Sequence, residues 1–387
     1  MSASRQPTDV IVLTGFLGAG KSTLLRTFLT GRESADCGVI INEFGDVAID
    51  HDLVAEGLPE VAVTTTGCLC CTAGSDIRAS IAELHDAAAK LGRLPLRRVI
   101  VETTGLANPA PVINQLVAGA VPAFGLRDHV VARHYRLAGV VAVFDAVEGP
   151  ATLERHSECV KQIALADRIL LTKADLLDAA DRTAETRHRM ELLGQINPDA
   201  PITDISAEDF DIEAAFAPRH YAPRDLGANL EGWLPDASPD SGHDHHHGHE
   251  HGHGHNHDHH HEPVRRADGT FGIGTVSVMK DEPIEKSALA HALDLAGLFY
   301  GANLLRMKGI VAFSDEPDTP HVLQVVQHVI HPLERLEKWP SEDRRTRIVA
   351  ITHGIDPQVV EEMLSAMTAN GAQIAPEAAP TAEMPTR

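Results

Sequence analysis

The sequence is short of positive charge, of cysteine and of long apolar runs, and each shortage excludes a class. Lysine and arginine total 33 against 55 aspartates and glutamates, a formal charge of −22. Nucleic-acid phosphates call for a basic surface, so general affinity for DNA or RNA is excluded. No run approaches the roughly 18 apolar residues that a membrane span needs. The first residues, MSASRQPTDV, lack the apolar core of a secretory leader. A cytoplasmic location is the expectation, with neither membrane nor nucleic acid as partner. The 387 residues hold 5 cysteines, which do not suggest a disulfide framework. Cys68, Cys70 and Cys71 crowd together, and in a reducing compartment such a cluster reads as metal-binding or redox-active.

What is present is a long alternation. From residue 10 to about 215, VIVLTG, GVIINEFG, EVAVTTTG, RRVIVETTG, LAGVVAVFDAV and RILLTKADL are Val/Ile-rich runs ending in turn or polar residues. Amphipathic segments such as SDIRASIAELHDAAAKLG separate most of them. That order predicts an α/β fold, a mostly parallel sheet with helices on both faces, over residues 1–221. Ligands of such sheets bind beyond the carboxyl ends of the strands, where every polar motif below falls. Residues 222–268 form a linker with almost no apolar content, which cannot bury a core. Residues 269–371 read as a smaller α+β domain. GTFGIGTVSVMKDEP, ANLLRMKGIVAF, HVLQVVQHVIHPLERL and RTRIVAITHGID are its strand segments, and IEKSALAHALDLAGL and PQVVEEMLSAMTANG its helices. Residues 372–387 are an expected disordered tail.

GFLGAGKST follows the strand VIVLT and opens the helix STLLRTFLTG. It fits a phosphate-binding loop: Gly15, Gly18, Ala19 and Gly20 let backbone N–H groups wrap phosphates. Lys21 neutralises the β and γ phosphates, Ser22 can ligate Mg²⁺, and Thr23 continues the motif into the helix. Thr172, Lys173 and Asp175 of LLTKADL end another strand. An Asp carboxylate there accepts both N–H donors of guanine, which adenine cannot supply. Ser206 and Ala207, after the next strand, are weaker candidates for holding the base by backbone contact. In VETTG, Glu102 is a Mg²⁺ candidate, direct or through water, and the Gly105 N–H a sensor of the γ-phosphate. Asn42, Glu43 and Gly45 of NEFG are either a switch loop or a plain turn.

Three thiolates at Cys68, Cys70 and Cys71 suit Zn²⁺, Co²⁺ or Ni²⁺ and leave a coordination position open, as a carrier needs; a redox pair is the rival reading. Cys37 and Cys159 are isolated and read as core residues. His129, His134, His328 and His331 carry no ligand signature and read as surface or core packing.

GFLGAGKST, NEFG, GCLCC, ETTGLANP and LLTKADL occur in the order found in the CobW-type metallochaperone GTPases. That family lies in the broader class that includes the urease and hydrogenase nickel-insertion GTPases. RMKGIVAF and WPSEDRRTRIVAITHG resemble its second domain, so the resemblance spans nearly the whole chain apart from the His tract and tail. It implies GTP hydrolysis to GDP, with Lys21, Glu102 and Gly105 at the reaction. It also implies a transition metal on the cysteines, and Glu43 near that metal or Mg²⁺. Two positions depart from the pattern: Ser22 stands for the commoner Thr, and Asn108 stands where the family usually has Asp.

Half of the 24 histidines fall between His243 and His261. His243, His245, His246, His247, His249, His251, His253, His255, His257, His259, His260 and His261 make a string suited to weak capture of several metal ions. The expected partners are GTP, a transition metal and an unidentified client metalloprotein, with a homodimer left open. The alternatives are a cobalt chaperone for cobalamin synthesis or nitrile hydratase, and a metal buffer regulated by nucleotide.

Overall fold

The computed structural model describes residues 7–31, 36–41, 77–218 and 272–365. The first sheet runs through β1 (Thr8–Gly15), β2 (Cys37–Ile41), β3 (Arg98–Glu102), β4 (Tyr135–Asp145), β5 (Arg168–Thr172) and β6 (Ile202–Asp204). Its order is β2-β3-β1-β4-β5-β6 and every pairing is parallel. The connecting helices are α1 (Lys21–Leu29), α2 (Ile77–Lys90), α3 (Ala110–Leu116), α4 (Gly125–His134), α5 (Gly149–Arg155), α6 (Ser157–Ala164) and α7 (Arg182–Ile196), with α8 (Ile212–Ala215) after β6.

The strand period of two explains how both faces become covered. Along β1, Val10 and Val12 pack with Ile77, Ile81 and Leu84 of α2 and Ile113 of α3. The intervening Ile11 and Leu13 pack on the opposite face with Leu24, Leu25 and Phe28 of α1. A strand buried on both sides must be apolar at every step, which is why these segments read as continuous Val/Ile runs.

The second sheet is antiparallel, built from β7 (Ile273–Lys280), β8 (Leu304–Phe313), β9 (Glu316–Val326), β10 (Val329–Ile330), β11 (Glu334–Arg335) and β12 (Thr346–His353). Helices α9 (Lys286–Tyr300) and α10 (Pro357–Ser365) cover one face, where Leu289, Leu293, Val360 and Leu364 meet Met307, Val311 and Phe313. The other face turns toward the first sheet, with Leu305 and Ile351 packed among Cys159, Ile163 and Ile169. The segment HVLQVVQHVIHPLERL folds differently from the single strand expected. It turns back at Gln327, whose φ is +55°, so that Val326 pairs with Val329. No glycine or proline marks that turn in the sequence.

Among the described residues, no helix is long and apolar enough to cross a membrane. The expected strand EVAVTTTG lies outside the described residues.

Candidate functional site

Because the strands of the first sheet are parallel, the segments after β1, β3, β4, β5 and β6 all emerge at one edge. The loop after β1 ends at Gly20, whose φ of +96° is a backbone state that residues with a Cβ rarely adopt; α1 begins at the next residue. The Lys21 ammonium donates to the carbonyls of Gly15 at 2.7 Å and Phe16 at 3.1 Å, which holds it in the mouth of the loop. Ser22 Oγ donates to Glu102 Oε1 at 2.8 Å, joining the start of α1 to the end of β3. Glu102 is 3% exposed. Thr23 is exposed, and its carbonyl accepts from Thr27 Oγ1 within α1.

Gly105 sits directly against this loop. A Cβ on it would lie 2.6 Å from Leu17 N and 2.7 Å from Leu17 Cα, so only glycine allows the approach. Thr103 extends β3 toward β1 by donating its N–H to Leu13 O at 2.9 Å. From the other side, Thr172 Oγ1 donates to Ala19 O at 2.8 Å and to Phe144 O at 3.1 Å, tying the end of β5 to the loop.

Lys173 follows with φ +59° and places its ammonium 2.6 Å from Asp145 Oδ2. Asp145 is the last residue of β4, and its Oδ1 accepts from the N–H groups of Val147 and Glu148. It is a site residue that motif reading missed; its only sequence signal is an acidic residue ending an apolar strand. Asp175 is exposed, and its carbonyl accepts from Arg182. Ser206 is farther along the edge, where Asp204 Oδ1 takes both its N–H at 2.8 Å and its hydroxyl at 2.7 Å. The Ala207 N–H goes to the Asp204 carbonyl. Glu102, Gly105 and Thr172 are thus joined to the loop by direct contacts, and Lys173, next along the chain, meets Asp145. Asp175, Ser206 and Ala207 share the edge, and their hydrogen bonds described above go to Arg182 and Asp204.

The departure at Asn108 has a structural counterpart. Its Oδ1 accepts the Ala110 N–H at the start of α3, and its Nδ2 donates to Gln327 Oε1 at 3.1 Å in the second domain. A carboxylate would keep the first bond, and Gln327 would have to turn its amide over to donate the second. Nearby, Asn114 Nδ2 donates to Val326 O, which leaves its Oδ1 to accept from His331 Nε2 at 2.9 Å. Burial and then Arg306 push the His331 pKa down to about 4, so the ring is neutral. His331 is therefore a packing residue, as expected; His129 and His328 are exposed and His134 stacks on His85.

The Cys37 and Cys159 thiols are both buried, and burial raises the pKa of each, that of Cys159 to about 12. Both are protonated core residues. Among the described residues no group of three or more His, Cys, Asp and Glu side chains could hold a metal ion. Asn42, Glu43, Gly45, Cys68, Cys70, Cys71 and the histidines from His243 to His261 lie outside the described residues.

Comparison with known proteins agrees with this geometry. The chain is 29% identical over 312 residues to the zinc chaperone YjiA of Escherichia coli (strain K12), covering 81% of this chain and 84% of that one. It is 29% identical over 378 residues to the zinc chaperone CobW of Pseudomonas aeruginosa, covering 92% and 90%. The crystal structure of Zn(II)-bound YjiA GTPase from E. coli superposes with a TM-score of 0.64 at 25% identity, covering 94% of this chain and 99% of that one. Residues 9–204 match the CobW/HypB/UreG nucleotide-binding domain, and residues 273–368 match the cobalamin synthesis protein cobW C-terminal domain. Both domains stand in that family's order on one chain, which belongs to the CobW family.

Proposed function

We propose that the chain is a GTP-hydrolysing metallochaperone. It carries a transition metal, zinc foremost, on Cys68, Cys70 and Cys71 and yields it to a client metalloprotein under nucleotide control. The observation that carries the nucleotide half is the 2.8 Å approach of Ser22 Oγ to Glu102 Oε1 at the mouth of the loop. The bond brings two hard oxygen donors together beside the loop, and Ser22 and Glu102 are the residues that would hold Mg²⁺. Bound there, Mg²⁺ supplies neutralisation of phosphate charge.

The chain's own residues do the rest. Backbone N–H groups from Gly18 to Ser22 wrap the phosphates and Lys21 offsets their charge. The Gly105 N–H meets the γ-phosphate. The Asp175 carboxylate accepts the paired N–H groups of guanine, with Lys173 steadied by Asp145. The metal half is supported by three thiols within four positions of the sequence and by relatives named zinc chaperones.

The test is a competition titration of Zn²⁺ against a chelator, using a chain without His243 to His261 so that weak sites do not mask the tight one. It is run with a Mg·GTP analogue, with Mg·GDP and without nucleotide. Coupling of about 1–3 kcal/mol changes metal affinity by about 5- to 150-fold, reciprocally. The GTP-analogue state is expected to bind tightest, with Cys70→Ala abolishing the difference. Equal affinity in all three states would leave a metal site without a switch.

A further inference from the structure

Helix α6 carries no nucleotide motif, yet one of its side chains reaches into the nucleotide edge. Gln162 is fully buried, at 0% exposure. Its Nε2 donates to Gly105 O at 3.0 Å and to Ala107 O at 3.1 Å, one hydrogen for each carbonyl. Because both partners are acceptors, chemistry itself sets which end of the amide faces them. The amide oxygen then points away, and among the described residues Gln162 Oε1 meets no donor. The other buried positions of α6 include Cys159, Val160, Ile163 and Ala164, an apolar face. A leucine at 162 would suit that face and bury no amide oxygen, but it would take the donor away from Gly105 O and Ala107 O. The polar side chain brings one thing a leucine cannot, a hold on the two carbonyls flanking Leu106.

That hold matters because of what Gly105 touches. Its Cα side abuts the backbone of Leu17, inside the phosphate loop. Glycine rotates freely about both backbone torsions. Anchoring the Gly105 carbonyl fixes the following peptide plane and removes one rotation through which the Gly105 N–H could swing. The turn is closed by the Ala107 N–H donating to Thr104 O at 3.0 Å, so the clamp spans the whole turn.

We infer that Gln162 is a positioning residue for the nucleotide reaction, fixing the Gly105–Ala107 turn so that the Gly105 N–H faces the γ-phosphate. This rests on the GTPase reading proposed above. Gln162 acts through the turn and does not touch the phosphates itself, so its loss shows in γ-phosphate-dependent steps and spares GDP.

The experiment compares wild type, Gln162→Leu and Gln162→Glu as full-length chains. It measures single-turnover GTP hydrolysis, affinity for a non-hydrolysable GTP analogue and for GDP, and thermal melting. Gln162→Leu is expected to lower kcat by about 10-fold or more and to weaken the GTP analogue by about 5-fold, with GDP affinity within about 2-fold of wild type. Melting is expected to fall modestly, because two buried carbonyls lose their donor, and the unchanged GDP affinity separates that global cost from the γ-phosphate effect. In Gln162→Glu a carboxylate faces two carbonyls. The variant is expected to be slow at pH 8 and to gain on wild type as the pH is lowered, because the protonated acid again donates a hydrogen bond. A role confined to packing would not produce that relative pH profile. Should Gln162→Leu fail to fold, the Gln162→Glu profile decides alone, and a profile parallel to wild type overturns the inference. Wild-type kcat and wild-type GTP-over-GDP preference in Gln162→Leu would overturn it while leaving the GTPase reading intact. A wild type that binds neither guanine nucleotide overturns both.

Discussion

Arg306 joins the two domains through a buried ion pair, and its removal should be severe. The side chain extends from β8 and is 3% exposed. Its Nη1 donates to Leu165 O at 3.0 Å and Ala166 O at 2.9 Å, and its Nη2 lies 2.5 Å from Asp167 Oδ1. Asp167 Oδ2 accepts the Val140 N–H at 2.9 Å, which links this pair to β4. Lys308 is a secondary counter-ion at 3.8 Å. Burial alone would favour the neutral acid at Asp167, but Arg306 above all, then Lys308, hold its pKa below the usual carboxylate range.

Arg306→Met keeps much of the apolar stem and removes the charge. It takes the charged donor from Leu165 O and from Asp167, whose carboxylate keeps the Val140 N–H and the more distant Lys308, while Ala166 O keeps Asn197 Nδ2 at 2.9 Å. Removing one member of a buried pair costs about 3–5 kcal/mol, a large share of a typical stability of about 5–15 kcal/mol. Urea denaturation of the full chain at pH 7 measures it. Asp167→Leu alone should cost a similar amount, and the double variant should cost much less than the sum, because the orphaned charge is then gone. The pH dependence has a definite sign. The depressed pKa of Asp167 contributes stability that is present above the unfolded carboxylate pKa of about 3.9 and is lost as pH falls through the folded value. The gap between wild type and Arg306→Met should therefore narrow in acid. A cost below about 1 kcal/mol at pH 7, or additive single variants, would refute the assignment of this pair as the domain tie.

Two further perturbations test other parts of the molecule. His331 has its pKa lowered to about 4 by burial, so it takes up its proton less readily folded than unfolded. Its cost to stability is absent above the unfolded pKa of about 6.5, grows as pH falls and saturates near 4, at about 3 kcal/mol. His331→Gln should flatten the stability curve across that window, and an unchanged curve would assign the acid sensitivity elsewhere. Gly105→Ala would drive a Cβ into the Leu17 backbone at 2.6 Å. The displaced phosphate loop should cost about 1–3 kcal/mol, read as weaker nucleotide binding, and wild-type affinity would show that the two loops do not share the site.

Particular residues show where sequence reading succeeds and where it stops. The glycines and Lys21 of GFLGAGKST were legible because a tight phosphate loop needs its residue types in consecutive positions, and local sterics decide them. The β/α alternation was legible for a similar reason, since burial on both faces demands continuous apolar runs such as Val10 to Leu13. Even the packing role of Cys37 and Cys159 followed from their isolation. The turn at Gln327 was not legible, because its left-handed backbone is imposed by strand pairing and carries no glycine or proline signal.

The chain by itself determined the nucleotide loop, the parallel sheet and the order of two domains, since each is written in residues adjacent along the sequence. Tertiary structure alone decided that Lys173 meets Asp145 and that Gln162 clamps the Gly105 turn. It also decided that Asn108 meets Gln327 across 219 residues and that Arg306 meets Asp167 across 139. Those pairs depend on which strands become neighbours and how one sheet lies on the other. Hydrophobic burial and strand register settle that for the whole fold at once, and no short motif records it.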